Sequence, residues 1–453
     1  MTHALHPWTR TLVALCAAFA LFQFAQHRPI LLAPAISAAL AVAALATLAT
    51  GWRRAGGERV ALCVLLVAVT IGAMVTAAST SFLQFWGPAT SVVSLVLAFA
   101  GIASALVPGR WGMAAFTVLL ITFAVVVLGH VAQATTVIDV QALLENGIDA
   151  ALAGNSPYAI TIPNPYSAAE SEQYFGPGVV ENGRVLFGYP YLPAPLVLDV
   201  PAHLLGDVRW AHVAAVLAAG VLAWRLASDR IGRAAAVLIV VNPLTANVLI
   251  SYWIEPVMVF LLSLTVWGMT RGGRGTAVAI GLLFASKQFA VSWIPALWSV
   301  ARSSGWRTVG AAAAVGALVV GAFVLWDPGA FVHSAIDFHL QQPFRRESMS
   351  LLPGLDDWLG PLPAWVLAAA PLAGLVASLI VAVRARPGPT AFALGVGLSL
   401  LVTVLLSKQA HMNYYYLAGA ALLLAVITWP RDDPMPEGDD QMREPSSQGS
   451  RGV

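Results

Sequence analysis

The chain has 453 residues, of which 58% are hydrophobic and only 10% are charged, and its formal net charge is +2. Soluble globular proteins carry about 25% charged residues, so this composition excludes a soluble protein, and the small net charge gives no indication of a nucleic-acid partner. Cys16 and Cys63 both fall inside apolar runs, so neither a disulfide framework nor a cysteine metal site is expected.

Five apolar runs precede the first long polar stretch, and each is long enough to cross a membrane as a helix. Basic loops face the cytoplasm; Arg53, Arg54 and Arg59 follow the second run, and Arg110 follows the fourth. The sequence therefore predicts a cytoplasmic amino terminus. The five predicted spans are 11–27, 29–50, 60–78, 88–107 and 111–131.

The middle of the chain allows two interpretations, because 191–205 is rich in proline and 275–301 carries a lysine at its centre. Either the first stretch crosses the membrane and the second is one long helix, or the first does not cross and the second is two short helices. Both interpretations give about 14 crossings. The remaining predicted spans are 209–226, 232–250, 252–270, 308–326, 362–383, 390–406 and 413–429.

The predicted fold class is an all-α polytopic membrane protein with large extracytoplasmic loops. It divides into an N-terminal four-helix segment, 1–110, and a larger membrane domain, 111–430. Residues 431–453 are rich in Pro, Asp, Glu, Ser and Gly, which predicts a disordered cytoplasmic tail. Charged and aromatic residues gather in three loops on the outer side, which we expect to converge on one cavity. The three loops are 134–191, 327–361 and 407–416.

Asp139 is the first candidate for chemistry, because it follows span 111–131 at the start of the first outer loop. A carboxylate so close to hydrocarbon is costly unless it is solvated or used. The competing explanation is that Asp139 caps an interfacial helix over 140–153. Our hypothesis is that Asp139 is a catalytic base.

Lys287 and Lys408 are the two lysines of the chain, and both lie in the tripeptide Ser-Lys-Gln with apolar sequence around it. A buried ammonium group requires an anion, and the phosphate of a membrane-embedded ligand fits that requirement. Arg345 and Arg346 are further candidates to bind such a phosphate. The alternative is that the lysine side chain extends to the membrane interface and has no ligand. For Lys408 this alternative is favoured, because the residue lies near a helix end.

Several other polar and aromatic residues have two explanations each. Tyr158 follows the turn Gly154-Asn155-Ser156-Pro157 and is a candidate to contact a sugar, although the turn alone explains it. His411 and Tyr414 fit an aromatic belt at the membrane interface as well as a site. Glu255 is either a residue at a helix end or a site carboxylate, and the sequence leaves both open.

Over about 111–430, short motifs occur in an order that resembles the GT-C superfamily of integral-membrane glycosyltransferases. The nearest likeness is to the actinobacterial mannosyltransferases that use polyprenyl-phosphate mannose, in glycosyltransferase family 87. The matching motifs are Asp139, Ala150 to Tyr158, Tyr189 to Leu196, Asn242-Pro243, Ser286-Lys287-Gln288, and Ser407 to Tyr415. The four spans before residue 108 are more than this resemblance leads us to expect.

The resemblance implies that Asp139 takes the proton of an acceptor hydroxyl in an inverting transfer of a hexose, with mannose expected. It implies that Lys287, Lys408, Arg345 and Arg346 hold the phosphate of a polyprenyl-phosphate-linked donor. The acceptor is then an extracytoplasmic lipid or glycan, and the protein lies in the plasma membrane. The first loop has no Asp-x-Asp pair, so we expect no metal and no cofactor. Residues implied to line the donor and acceptor sites are Tyr158, Tyr189, Tyr191, Gln288, His411, Asn413 and Tyr414.

Two other functions fit the same pattern. A transporter or flippase of lipid-linked sugars would use the same lysines for phosphate and Asp139 for proton coupling, although we find no internal repeat. A glycan polymerase or ligase would act on a lipid-diphosphate glycan and would rely on arginine and histidine in the second loop.

Overall fold

The computed structural model describes residues 7–21, 41, 58–77, 89–134, 138–273 and 275–430. About 76% of the structure is helical and almost none of it is strand, which confirms the all-α class. Most of the predicted span 29–50 and the predicted tail 431–453 lie outside the described residues.

Helices account for nearly all of the described secondary structure. Up to residue 250 they are α1 Pro7–Leu21, α2 Glu58–Ala77, α3 Ala89–Leu106, α4 Gly109–Gln133, α5 Asp139–Leu152, α6 Ala168–Tyr174, α7 Pro193–Leu204, α8 Arg209–Leu226, α9 Arg230–Val240 and α10 Thr245–Ile250. From residue 255 they are α11 Glu255–Arg271, α12 Thr276–Phe284, α13 Leu297–Ser304, α14 Trp306–Trp326, α15 Pro328–Val332, α16 Phe338–Gln341, α17 Leu352–Leu359, α18 Ala364–Ala368, α19 Ala370–Arg384, α20 Pro389–Leu405 and α21 Met412–Ile427.

Within the described part of the chain, three helical runs are long and apolar enough to cross a membrane. They are Gly109–Gln133, Arg230–Ile250 and Trp306–Trp326. A further pair, α7 and α8, passes the same criterion jointly but is bent by 112°. Several shorter apolar helices, among them α20 and α21, accompany these four. The described helices are thus compatible with a membrane protein.

The stretch 275–301 is broken at its centre, so the structure excludes the interpretation with one long helix and not the one with an interruption. α12 ends at Phe284, and a 3₁₀ helix, Gln288–Ala296, follows after Lys287, whose backbone is extended. Pro295 has no amide hydrogen to continue an α-helical ladder, which favours this irregular geometry. The amide of Ala194, in α7, donates to the Ala285 carbonyl at 3.0 Å, so the break also fixes the start of the proline-rich helix.

The largest hydrophobic cluster of the described residues extends from Leu12 to Trp429, and smaller clusters lie around Tyr158 and Phe187. α1 packs against α21, the last described helix, most of whose residues are buried. Arg10 in α1 forms an ion pair with Asp229 at 2.8 Å and donates from Nε to the Val426 carbonyl at 3.1 Å. The predicted N-terminal segment therefore shares its core with the helices that follow it.

The described part of the first predicted outer loop, 138–191, is a folded unit with the predicted interfacial helix, which is α5. Three short strands, β1 Ile162–Pro163, β2 Val180–Glu181 and β3 Arg184–Val185, form an antiparallel sheet in the order β1-β3-β2. Asn182 and Gly183 both have positive φ between β2 and β3, as a tight two-residue hairpin requires.

The first and second loops are packed together. Ser334, in a π-helical turn His333–Asp337, donates to the Tyr158 carbonyl at 2.7 Å and accepts from the Gly188 amide at 2.9 Å. Phe338 from the second loop packs edge-on against Phe187 from the first, with ring centroids 4.6 Å apart. These contacts bring polar side chains from both loops next to one another.

Candidate functional site

Asp139 is the first residue of α5, and its two carboxylate oxygens have different surroundings. Oδ1 accepts hydrogen bonds from the Tyr166 hydroxyl at 2.8 Å and from the Val140 amide at 2.9 Å. Oδ2 accepts none from the residues that the structure describes. Ile138 occupies the capping position, so Asp139 is an acidic residue in the first turn, where the helix dipole favours it. One oxygen is thereby fixed while the other stays open to a ligand.

Tyr166 is the partner of Asp139, and the sequence did not indicate it. The side chain of Asn164 holds it in place by accepting from the Tyr166 amide at 3.2 Å and donating to its carbonyl at 3.1 Å. The same Asn164 donates to Ser171 in α6 at 2.6 Å. The Tyr166 ring packs edge-on against Tyr174, with centroids 5.0 Å apart. The hydrogen bonds of Asn164 and the packing against α6 thus orient the Tyr166 hydroxyl toward the Asp139 carboxylate.

The surroundings of Asp139 change its acidity. Burial raises the pKa of the carboxyl group, while the hydrogen bond from Tyr166 and the positive charge of Arg345 lower it by less than burial raises it. The net pKa lies above the ordinary value for aspartate. A carboxylate with a raised pKa is a stronger base than a solvated one, which suits it to accept a proton.

Arg345 comes from the second loop and meets residues of the other two loops. Its Nη2 donates to the Tyr174 carbonyl at 2.8 Å, and its guanidinium carbon lies 5.0 Å from the Tyr174 ring centre. Its Nη1 lies 3.5 Å from Nε2 of His411, and its amide donates to the Lys408 carbonyl at 3.1 Å. The nearest acid is Glu347, at 3.9 Å. The three predicted outer loops therefore converge on the surroundings of this cation.

His411 lies immediately before α21 and faces Arg345. Burial, followed by the positive charges of Arg345 and Lys287, lowers the pKa of His411 to about 3. The imidazole is therefore neutral at neutral pH and can donate or accept one hydrogen bond without adding charge. Asp139, Tyr166, Arg345 and His411 are called the acid–arginine cluster below.

Lys287 lies in a second polar group at the helix break, and its charge is compensated. Its Nζ donates to Oε1 of Glu255 at 2.5 Å, and Asn413 donates to the same oxygen at 2.9 Å. The ammonium lies 4.4 Å from the Tyr191 ring centre and 4.9 Å from that of Tyr414. The Lys287 and Glu255 side chains are 3% and 0% exposed. Lys287, Glu255 and Asn413 are called the buried ion pair below.

Tyr191 packs against the buried ion pair. Its ring packs against Lys287 on one side, and its pKa is raised by burial and then by Tyr414, Glu255 and Asp139. The Tyr158 hydroxyl donates to the Tyr191 carbonyl at 3.0 Å, so Tyr158 holds Tyr191 in place from a buried position. Tyr414 makes the two groups neighbours, because its ring centre lies 4.9 Å from the Lys287 ammonium and 6.3 Å from the centre of the His411 ring.

Four other predicted site residues have structural partners. Lys408 donates to the carbonyls of Leu340 and Gln342 at 3.1 and 2.6 Å. Tyr189 is fully buried. Arg346 forms ion pairs with Asp356 at 3.0 Å and Asp357 at 2.9 Å. Gln288 donates to the carbonyls of Pro190 at 2.9 Å and Ala335 at 2.6 Å.

These contacts bear on two of the phosphate assignments. Arg346 has a 71% exposed side chain and is engaged by carboxylates of α17, so its position does not favour phosphate binding. Lys408 fastens the third loop to the second. Both assignments stay predictions that the geometry does not favour.

Within the described residues, no three His, Cys, Asp or Glu side chains are grouped as ligands for a metal ion. The expectation of a metal-independent reaction stays a prediction.

Comparison with known proteins finds no match for this chain: no protein family, no characterised protein and no solved structure matches it.

Proposed function

We propose that the chain is an integral-membrane glycosyltransferase of the GT-C superfamily. It transfers a hexose, with mannose expected, from a polyprenyl-phosphate-linked donor to an extracytoplasmic lipid or glycan acceptor with inversion. The observation that carries the proposal is the convergence of Asp139 and an arginine from a different loop, Arg345, on two packed tyrosines. The Tyr166 hydroxyl donates to Asp139 at 2.8 Å, Arg345 donates to the Tyr174 carbonyl at 2.8 Å, and the two tyrosine rings lie 5.0 Å apart. A base and a cation that meet in this way match the two needs of transfer from a lipid phosphate. The order of the sequence motifs supports the same function.

The proposed reaction uses each oxygen of Asp139 differently. Tyr166 and the Val140 amide hold Oδ1. The acceptor hydroxyl gives its proton to Oδ2 as its oxygen attacks the anomeric carbon of the donor. The bond between that carbon and the phosphate oxygen breaks, and its electron pair leaves with the phosphate. Attack opposite the leaving group inverts the anomeric configuration, and a base of this kind accelerates transfer by about 10²–10⁴-fold.

The departing phosphate gains negative charge, so it needs a cation and hydrogen-bond donors. Arg345 fits this role best, because its nearest carboxylate is 3.9 Å away whereas that of Lys287 is in direct contact. His411, neutral and next to Arg345, supplies a further hydrogen bond. In this assignment Lys287 does not bind the phosphate. It acts indirectly, by fixing the rings of Tyr191 and Tyr414 beside the donor sugar.

The proposed membrane arrangement has about 14 crossings, a cytoplasmic amino terminus and the reaction on the outer face of the plasma membrane. The described apolar runs support part of this arrangement. Accessibility of single cysteines placed at Asp149 and Arg302 to a membrane-impermeant maleimide tests the sidedness. We expect Asp149→Cys to react from outside and Arg302→Cys to react only after permeabilisation. The opposite labelling would overturn this topology.

The reaction is tested with the purified full chain in phosphatidylcholine nanodiscs and polyprenyl-phosphate hexoses labelled in the sugar. We expect the label to move into a new glycoside with an acceptor such as octyl α-mannopyranoside, and free polyprenyl phosphate to form in equal amount. Label that stays on the polyprenyl phosphate for every hexose and acceptor supplied would overturn the proposal.

A transporter or flippase of lipid-linked sugars is the second candidate, and the buried ion pair is the observation that favours it. Ionisable pairs within membrane spans occur in proton relays of transporters. Proteoliposomes with fluorescent polyprenyl-phosphate hexose in both leaflets separate the two functions. A flippase makes dithionite-protected label accessible without chemical change, whereas a transferase changes the lipid and not its sidedness.

A further inference from the structure

A cleft of about 550 Å³ lies on the first outer loop, beside the acid–arginine cluster. One wall is a face of α6, together with the residue that follows this helix. The residues of this wall follow one another at helical spacing and are Ala168, Ser171, Glu172 and Phe175. The opposite wall is formed by the glycine-rich turns of the small sheet. The volume falls within the range of about 300–1,000 Å³ that is usual for small-molecule sites.

The cleft shares its wall with the residues that hold Tyr166 on Asp139. Asn164 lines the cleft and binds both Tyr166 and Ser171. The Phe175 ring lies 5.7 Å from the Tyr166 ring. Tyr166 thus contacts both the wall of the cleft, at Phe175, and the carboxylate of Asp139.

The charge and chemistry of the cleft select its ligand. Glu172 is the one charged side chain among its lining residues, and it makes no hydrogen bond to other described residues. An anionic ligand such as a lipid phosphate is repelled by this carboxylate. Asn164 and Ser171 add polar atoms, and the turns leave open space at Gly178 and Gly183, where a Cβ would meet no other atom within 4 Å. Free hydroxyl groups are the donors that a carboxylate and peptide carbonyls accept.

We propose that this cleft binds a neutral saccharide and is the acceptor subsite, a proposal that rests on the glycosyltransferase function. The donor phosphate and the acceptor then both lie next to α6, on adjacent faces of the helix. The Tyr174 carbonyl holds Arg345 on the donor side, and Ser171 and Glu172 face the acceptor. The acceptor is therefore a neutral glycan, not an anionic lipid headgroup.

Ala168→Trp tests the proposal, because Ala168 is exposed, lines the cleft and has no side-chain hydrogen bond to lose. Ala169→Trp is the matched control, since Ala169 is the next residue of α6, is exposed and lies outside the lining. With octyl α-mannopyranoside as acceptor, we expect Ala168→Trp to raise the acceptor KM at least tenfold. The donor KM stays within twofold of that of the parent chain, and the control changes neither KM.

Binding is measured separately, by saturation-transfer NMR of methyl α-mannopyranoside and α-mannobiose on the full chain in nanodiscs free of sugar detergents. We expect transfer signals that Ala168→Trp removes and Ala169→Trp keeps, and none from glucuronic acid. Binding of this pattern without any glycosyl transfer would overturn the transferase and retain the saccharide site. Transfer with an unchanged acceptor KM in Ala168→Trp, or no neutral saccharide bound at all, would overturn the cleft assignment.

Discussion

The acid–arginine cluster and the buried ion pair are neighbours through Tyr414 and differ in how their charges are satisfied. In the buried ion pair, ammonium and carboxylate are in direct contact and shielded by aromatic rings. In the acid–arginine cluster, Asp139 keeps one oxygen open and Arg345 reaches its nearest acid only at 3.9 Å. Charges that already have a close partner hold a fold together. Charges without one are available to a substrate, so we assign chemistry to the second cluster and support to the first.

Lys287→Met gives the largest expected effect on the folded protein. It leaves Glu255 buried without its counter-charge, which costs about 3–5 kcal/mol. Thermal unfolding of the purified protein should show a large fall in melting temperature, and Lys287→Met combined with Glu255→Gln should recover most of it. Lys408→Met is the control, with a smaller fall, because Lys408 donates only to backbone carbonyls at a partly exposed position. A single variant as stable as the parent would remove the supporting role of the pair.

Arg345→Gln sharpens the assignment of the donor phosphate. A hydrogen bond between charged groups contributes about 1.5–3 kcal/mol, which corresponds to about 10–100-fold in affinity. We expect the donor KM to rise by that factor while the acceptor KM stays constant. Arg346→Gln, one residue further on, should leave both constants within twofold. If the two variants behave alike, Arg345 is not the phosphate ligand.

Tyr166→Phe has the smallest expected effect, a shift in pH dependence. The base works as a carboxylate, so activity is present above the Asp139 pKa and is lost as pH falls through it. The Tyr166 hydrogen bond lowers that pKa, so its removal raises the pKa further and moves the acid limb of the rate to higher pH. Tyr174→Phe is the control, because it keeps the ring and does not touch Asp139. An acid limb that does not move, or moves down, would separate Tyr166 from the base.

The sequence predicts most helices of the fold well, because hydrophobic length and basic loops are local properties. Span 209–226 coincides with α8, and span 308–326 differs from α14 by two residues at one end. The break at Lys287 was one of two open interpretations, since an apolar run with one lysine fits either a continuous or an interrupted helix.

The candidate site was predicted only in part. Asp139 and Lys287 were identifiable because a charged side chain near hydrocarbon is costly unless it is paired or takes part in function. Their partners were not, because Tyr166 lies 27 residues from Asp139 and Glu255 lies 32 from Lys287, and folding alone brings them together. Lys408 and Arg346 looked equivalent to Lys287 and Arg345 in the sequence, and only their contacts distinguish them.

The central claim is that Asp139 removes the acceptor proton. The most direct measurement is the rate of hexose transfer from labelled polyprenyl-phosphate hexose at saturating acceptor, by the parent chain and by Asp139→Asn of equal melting temperature. A lost base lowers the rate by about 10²–10⁴-fold. We predict a rate in Asp139→Asn at least a hundredfold below that of the parent. A rate above one tenth of that of the parent would contradict the assignment of Asp139 as the base.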